Sequence, residues 1–373
     1  MEHSFGRAAP LSLGLEEELL LVDPDTLQLR HHASEVIARA RRPPGEIKPD
    51  VYEALVENAT PIVGSPQEGA AALGELRAAL RGAGATLLGA GLHPVGAFGD
   101  VVHVPEKRYL DIAATMQGLL RRTPTCALHV HVGMPDPHTA IAVCNRLRAF
   151  LPLLQALAAH SPYWHGVDSG FATARAQLFR GFPRAVIPPV FGSWDEYVDL
   201  ISAWMAVGDL PDYTFLWWDI RPHPRLGTVE VRAMDAQARL DSAAGLAALV
   251  HALAAACMNG AEEIAPPADV LMESSFRAGR DGVEATLWWR GALRPVREIA
   301  DDALALARPY ARELGGDDPL EEIERIVREG GGADRMRAAH AAGGMSEVLA
   351  LLATEAAAPY DSTHTTSPIR TQS

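Results

Sequence analysis

Lysine is almost missing from this chain: Lys48 and Lys107 stand against 31 arginines. No G-x-x-x-x-G-K-[ST] occurs, which excludes a P-loop, so any phosphate bound here must be held by arginine or metal. The glycine-rich run 82–91 does not match G-x-G-x-x-G, and a dinucleotide fold is not expected. No G-x-S-x-G elbow is present, and no H-E-x-x-H or C-x-x-C. Cys126, Cys144 and Cys257, few and widely spaced, fit reduced thiols of a cytoplasmic protein that serve as small core residues. Residues 1–12 lack a basic segment followed by an apolar one, and the longest apolar run, 246–258, is interrupted by His251 and too short for a bilayer. A net charge of −14 argues against nucleic acid and acidic membrane surfaces as partners. An anionic ligand would need a local cluster of arginine and metal. With 48% hydrophobic residues, the 373-residue chain can bury one large core or two smaller ones.

What is present is a set of apolar strands carrying charge. Residues 216–235, LWWDIRPHPRLGTVEVRAMD, predict two strands joined by a turn around 223–227. In the second, Val229, Val231 and Ala233 fall on one face, and Glu230, Arg232 and Met234 on the other. In the first, Asp219 and Arg221 oppose Trp218 and Ile220. Charges on apolar strands need partners. A structural ion-pair ladder would supply them, as would an anionic substrate with a metal.

The pattern recurs twice upstream. Residues 13–22 read as a strand on which Glu16 and Glu18 share a face and Glu17 takes the other. Carboxylates held that close repel unless a cation lies between them, so a hard divalent metal is one reading and a solvated strand face the other. In 126–133, His129 and His131 share a face opposite Leu128, Val130 and Val132. They can bind metal, or simply hydrogen-bond within the core. With no closed zinc spacing elsewhere, an oxygen-rich magnesium site joined by one histidine is expected. Glu57, inside the apolar run 55–61, wants a metal or arginine if buried, and is an edge-strand glutamate if not. Arg175 and Arg180 lie in a loop-like, proline-flanked segment, solvated or in contact with an anion. Trp217, Trp218, Trp288 and Trp289 read as core or interface.

Strands are expected over 11–22, 54–63, 86–92, 125–134, 215–221 and 228–234. Helices are expected over 66–80, over 139–160 with a kink at Pro152, over 194–207 from a capping box at Ser193, and from an Asp241 cap to about 258. A link over 261–269 precedes further helices over 294–314, 319–329 (capped by Asp318) and 346–356. The order predicts an α+β catalytic core over 1–260, a mainly helical region over 261–358 packed on it, and a disordered polar tail over 359–373.

These segments, GLEEELLLVD, ENATPIV, GLHPVG with RYL at 108–110, ALHVHVG, residues 161–179, LWWDIRPHPRLGTVEVRAMD and ESSFRAGRDGVEA at 273–285, resemble the bacterial glutamate–cysteine ligase type-2 family and, within it, the YbdK-like carboxylate–amine ligase group. The resemblance covers about residues 11–290. It implies a curved, mostly antiparallel sheet forming an active-site funnel with helices outside, on a glutamine synthetase-like plan. It implies ATP and Mg²⁺ (or Mn²⁺) as cofactors and a dimer. Glu16, Glu18, Glu57, His131 and Glu230 would be metal ligands, with His129 named beside them. Arg232 would meet ATP phosphates or an acyl phosphate, and Arg221 and Arg175 anionic substrate or phosphoryl oxygens. The implied reaction joins a carboxylate to an amine, as in glutamate–cysteine ligation, through an acyl phosphate with release of ADP and phosphate. Gly91-Leu92-His93-Pro94, Ser169-Gly170-Phe171 and Ser274-Ser275-Phe276 depart from the family pattern and leave the acid and amine open. A ligase for another amino acid or a specialised-metabolite pair, and a metal-dependent amide hydrolase built on His129 and His131, are the alternatives.

Overall fold

The computed structural model describes residues 1–261 and 266–360. Its strands are β1 (Leu13–Val22), β2 (Glu46–Pro49), β3 (Leu55–Ala59), β4 (Thr86–Leu88), β5 (Ala127–Gly133), β6 (Tyr163–Trp164), β7 (Val167–Asp168), β8 (Ile220–His223), β9 (Thr228–Asp235), β10 (Thr286–Trp289) and β11 (Ala292–Pro295). Its helices are α1 (Ala33–Arg39), α2 (Pro66–Gly82), α3 (Lys107–Met116), α4 (Pro137–Leu147), α5 (Leu151–Leu157), α6 (Ala174–Phe179), α7 (Trp194–Gly208), α8 (Leu240–Met258), α9 (Ala268–Asp281), α10 (Val296–Glu313), α11 (Leu320–Glu329) and α12 (Gly332–Ala357). Among the described residues, seven strands form one antiparallel sheet in the order β2-β3-β1-β5-β9-β8, with β4 paired to the far end of β1. The fold is α+β.

The two-residue period of each strand sorts its side chains between a helix-covered face and a cavity face. On β1, Leu13 and Leu15 join Leu128, Val130 and Val132 of β5 in the main core under α4, α5 and α8. Glu17 falls on that same face and is buried there. It is tolerated because Arg77 of α2 grips it, Nη2 at 2.6 Å and Nε at 3.0 and 3.1 Å, while Asn58 donates to it at 3.0 Å. Helix α8 is apolar nearly all round and is sheathed by α2, α4, α10 and α11. Its 19 residues are long and apolar enough to cross a bilayer, yet 94% of that window is buried against its neighbours. His251, which interrupts the run, bonds the Leu11 carbonyl at 2.7 Å.

Several expectations are corrected. The first strand of the 216–235 hairpin does not span 215–221: Tyr213–Phe215 is a 3-10 turn and pairing begins at Ile220. Trp218 packs on Phe191 instead, and Pro222 is allowed in β8 because β8 is the sheet edge. On β9 a bulge breaks the alternation. Leu128 faces Met234 but Val130 faces Val231, so Arg232 and Ala233 together oppose His129. Met234 therefore enters the core with Val229 and Val231, not the face of Glu230 and Arg232.

The helix expected over 139–160 is two, α4 and α5, with a 3-10 turn at Arg148–Phe150 ahead of Pro152, and Asp136 caps α4 by accepting from Thr139 N at 2.8 Å. Asp241 is not a cap; it lies inside the first turn of α8 and pairs with Arg239. Asp318 gives α11 no side-chain cap. The helix expected over 294–314 begins only at Val296, after β11. The segment 346–356 is the end of α12, which breaks at Gly343 and Gly344. Helices α1, α3 and α9 and strands β2, β10 and β11 had no counterpart in the sequence reading. Of the expected link, residues 262–265 lie outside the described residues, as does the expected disordered tail from 361 onward.

Candidate active site

Register carries the acidic and basic side chains of separate strands into one place. Glu57 stands opposite Glu18, Glu16 opposite His129, and His131 opposite Glu230, which in turn faces Arg221. The result is a cavity of about 770 Å³ on the sheet face turned away from α8. Glu16, Glu18, Glu57, His129, His131, Arg175, Arg221, Glu230 and Arg232, the nine residues selected from the sequence, all line it. Gly227, with φ +71°, closes the hairpin turn by donating to the His223 carbonyl at 2.9 Å.

At one end of the cavity lie the carboxylates and histidines. His129 Nδ1 is 3.3 Å and His131 Nε2 3.6 Å from Glu16, and His131 Nε2 is 3.8 Å from Glu230. Thr228 holds the other ring nitrogen of His131 at 3.1 Å, so Nε2 is presented to the acids, buried and without a hydrogen-bond partner. Glu16, His129 and Glu230 offer ligand atoms within 4.8 Å of one another. An orphaned imidazole nitrogen among carboxylate oxygens suits a hard divalent cation. Glu230 is already held: Arg221 contacts both of its oxygens, at 2.6 and 3.2 Å, and Arg232 donates to Oε1.

Charge crowding shifts the ionisation of these groups. Burial pushes Glu18 up to about 8, reinforced by Asp50 and only partly offset by Arg175 and Arg232. Burial and the Glu16 charge likewise raise Glu57. Burial alone would raise Glu16 too, but His131, His129 and Lys48 hold it well below the carboxylate range. Burial, then Arg232, pushes His129 down to about 3, so it is neutral; His131 is raised despite burial by Glu16 and Glu230. The acidic end thus retains protons that a cation would displace.

The second wall is cationic. Arg175 is not in a loop; it lies on α6, capped by Thr173, and is buried. Asp235, the residue after the bulge strand's last core position, ties this segment down. It accepts from His160 N (2.9 Å), Ser161 Oγ (2.7 Å) and Thr173 Oγ1 (2.9 Å), and stands 3.6 Å from Arg175. Position 91 must be glycine for this, because a Cβ there would lie 2.6 Å from Asp235 Cγ. Arg180 is not solvated either: it donates to Asp219 at 2.9 Å and to Ser275 of α9 at 3.3 Å. Leu92, Ser169, Ser274 and Ser275, the positions that depart from the family pattern, do not line the cavity. Trp218 is buried, and Trp217 lines the cavity near Phe182.

Lys48 and Asp50 line the cavity and were not selected from the sequence. Glu46, Lys48 and Asp50 repeat every second residue, the strand signal of β2, but Pro49 and the preceding Pro43-Pro44-Gly45 obscured it.

The chain is similar in sequence to one family of proteins along most of its length. The profile of glutamate–cysteine ligase family 2 matches residues 12–350. A Rubrobacter xylanophilus protein provisionally named glutamate–cysteine ligase 2-3 is 40% identical over 347 residues, covering 91% of this chain and 94% of its own. A Roseiflexus sp. protein provisionally named glutamate–cysteine ligase 2 is 34% identical over 341 residues, covering 88% and 90%. Two solved structures share the fold. They are glutamate–cysteine ligase of Francisella tularensis in complex with AMP (TM-score 0.67, 15% identity, 95% of this chain and 89% of that one) and a bifunctional glutathione synthetase of Pasteurella multocida (TM-score 0.66, 14% identity, 93% and 52%). With its acids, histidines and arginines gathered on one sheet face and its sequence matched from residue 12 to residue 350, the chain belongs to glutamate–cysteine ligase family 2.

Proposed function

We propose that this ATP-dependent carbon–nitrogen ligase joins an amino-acid carboxylate, with glutamate the first candidate, to an amine such as that of cysteine, through an acyl phosphate. The observation that carries the reading is the meeting, in one cavity, of Glu16, Glu18, His131 and Glu230 with Arg175, Arg221 and Arg232. A carboxylate oxygen attacks the γ-phosphorus of ATP and ADP leaves. The amine then attacks the acyl carbon, phosphate departs with the C–O electron pair, and the amine nitrogen loses a proton. No side-chain nucleophile is needed. Glu16, Glu18, His131 and Glu230, with His129 beside them, are the groups that would hold Mg²⁺ or Mn²⁺, which would offset charge on the transferring phosphoryl group.

The chain's own part is positioning. Half-buried Arg232 lines the cavity and keeps a buried Nε–H without a hydrogen-bond partner, a donor left for a phosphoryl oxygen. Arg175 Nε is unpartnered in the same way, and its guanidinium packs 5.4 Å from the Phe179 ring centre. Arg221 spends its donors on Glu230 and on the carbonyls of Thr214 and Leu216, which makes it the brace of Glu230. That departs from the substrate-holding role the resemblance implies.

The test is direct. Protein incubated with magnesium, ATP and pools of amino acids is expected to yield ADP, phosphate and a new amide mass. AMP with pyrophosphate would overturn the acyl-phosphate route, and amide turnover without ATP would favour a hydrolase on His129 and His131.

A pH dependence follows from Glu18. At pH 7 a carboxyl titrating near 8 is protonated in the folded metal-free chain and ionised in the unfolded one. The stability it contributes is full below the ordinary glutamate pKa and is lost as pH rises through about 8. The melting temperature of the metal-free chain should therefore fall across that window. Divalent-cation binding at pH 7 should release protons, read with a pH indicator in weak buffer. Cation binding that releases none would mean the acids are already ionised.

A further inference from the structure

His223 lines the cavity and has no part in the ligation chemistry described above. It is the last residue of β8, paired with Thr228 and 5% exposed. Its ring centre lies 5.7 Å from that of His131, a position from which it could pass for another metal ligand. Its hydrogen bonds exclude that role. The Leu226 N–H, which also reaches the His223 carbonyl, points at Nδ1 from 3.2 Å, and the Tyr213 hydroxyl lies 3.2 Å from the same nitrogen. That hydroxyl accepts from Arg225 N at 3.1 Å, which leaves its own proton for Nδ1. A ring nitrogen that accepts from a backbone N–H carries no proton, so the neutral imidazole carries its proton on Nε2. Neither contact uses Nε2, and no other bond to it exists among the described residues. An Nε2–H has no lone pair for a metal but donates to an anionic oxygen. His131 differs, because the Thr228 hydroxyl at its Nδ1 can donate or accept and leaves Nε2 free to ligate.

Placement along β9 selects the anion. In-line transfer sets the attacking carboxylate and the departing ADP on opposite sides of the γ-phosphorus. Arg232, with its unpartnered Nε–H, stands between the two ends of the strand. At one end Arg175 lies 3.6 Å from Asp235, and its planar fork suits a carboxylate. At the other, His223 faces Thr228, four residues and roughly 13 Å of strand from Arg232. A group held at His223 is therefore not the phosphoryl that meets Arg232. Arg225 lines the cavity beside His223 and adds a positive charge there.

We propose that His223 Nε2–H donates to an oxygen of the α- or β-phosphate, the part of the nucleotide that stays with ADP, and that Tyr213 and Leu226 hold the ring in the tautomer that does so. His223 is then a nucleotide-binding donor on the leaving-group side of the transfer and not a metal ligand. This rests on the reading that the cavity binds ATP, and it is tested on ADP binding, without turnover.

ADP affinity of the full chain is measured by calorimetry in the presence of Mg²⁺, and Mn²⁺ alone is titrated in parallel. Two amides separate the two nitrogens of the ring. Asparagine keeps an acceptor near the Nδ1 position, whereas glutamine carries a donor to the Nε2 position. His223→Asn is expected to melt close to the wild type and to bind ADP about tenfold or more weakly, the scale of one hydrogen bond to a charged group. His223→Gln is expected to melt earlier and to keep its ADP affinity. Both are expected to bind Mn²⁺ as the wild type does. Unchanged ADP affinity in His223→Asn, or its loss in folded His223→Gln, would overturn the proposal and make the ring a brace of the turn. Weaker Mn²⁺ binding in His223→Asn would make it a metal ligand, and a loss confined to the KM for glutamate would assign Nε2 to the acid; either overturns the proposal. If His223→Asn does not fold, the ADP affinity of His223→Gln decides alone. A wild-type chain that binds no ADP would remove the nucleotide reading of the cavity, and this proposal with it.

Discussion

Glu230→Gln is expected to lower ATP-dependent ligation by at least ~10²-fold, the scale of removing preorganised charge stabilisation. Its carboxylate is the junction of the site. Arg221 contacts it at 2.6 and 3.2 Å, Arg232 donates to Oε1, and His131 Nε2 lies 3.8 Å away. Glutamine has nearly the same shape but no charge, so the buried Arg221 and the half-buried Arg232 lose their shared counter-ion. Removing one partner of a buried ion pair costs about 3–5 kcal/mol, so the variant should also melt earlier than the wild type. Divalent-cation affinity should fall with turnover. Both are measured below the variant's melting midpoint, with circular dichroism to confirm the fold. Turnover near wild type in a folded variant would reduce Glu230 to a bystander.

Arg232→Lys is the second large effect. The bulge on β9 sets Arg232 and Ala233 together against His129, and one nitrogen of Arg232 is committed to Glu230. Nε–H remains buried and unpartnered. Lysine keeps a positive charge beside Glu230 but supplies a point charge where the planar fork gives two directed donors. Losing one charge-assisted hydrogen bond costs about 1.5–3 kcal/mol, which lowers kcat about tenfold to a hundredfold if the contact tightens in the transition state. The variant should fold normally and keep much of its amino-acid binding. Kinetics close to wild type would make Arg232 a structural partner of Glu230. Asp219 is no alternative partner, because Arg180 holds it.

The motif residues were legible because their chemistry is local. On a strand, Glu16 and Glu18 must share a face, as must His129 and His131, whatever they later meet. The same logic placed Glu17 on the opposite face without revealing its partner, Arg77, 60 residues away. It failed at Met234, because a bulge is a property of two strands and not of one. It also failed at residues 173–179, where a helix of six residues is too short to show a period and is held by Asp235 from a distant strand.

The sequence by itself determined which side chains could act and which of them lie together on a strand, since a period of two residues is built into the extended chain. Only the tertiary structure decided which strands are neighbours, and so that Glu18 faces Glu57, His131 faces Glu230, and Lys48 faces Glu57. Strand order and register come from burying the Leu13–Leu15 and Leu128–Val132 faces under α8, a condition that no stretch of the chain expresses alone.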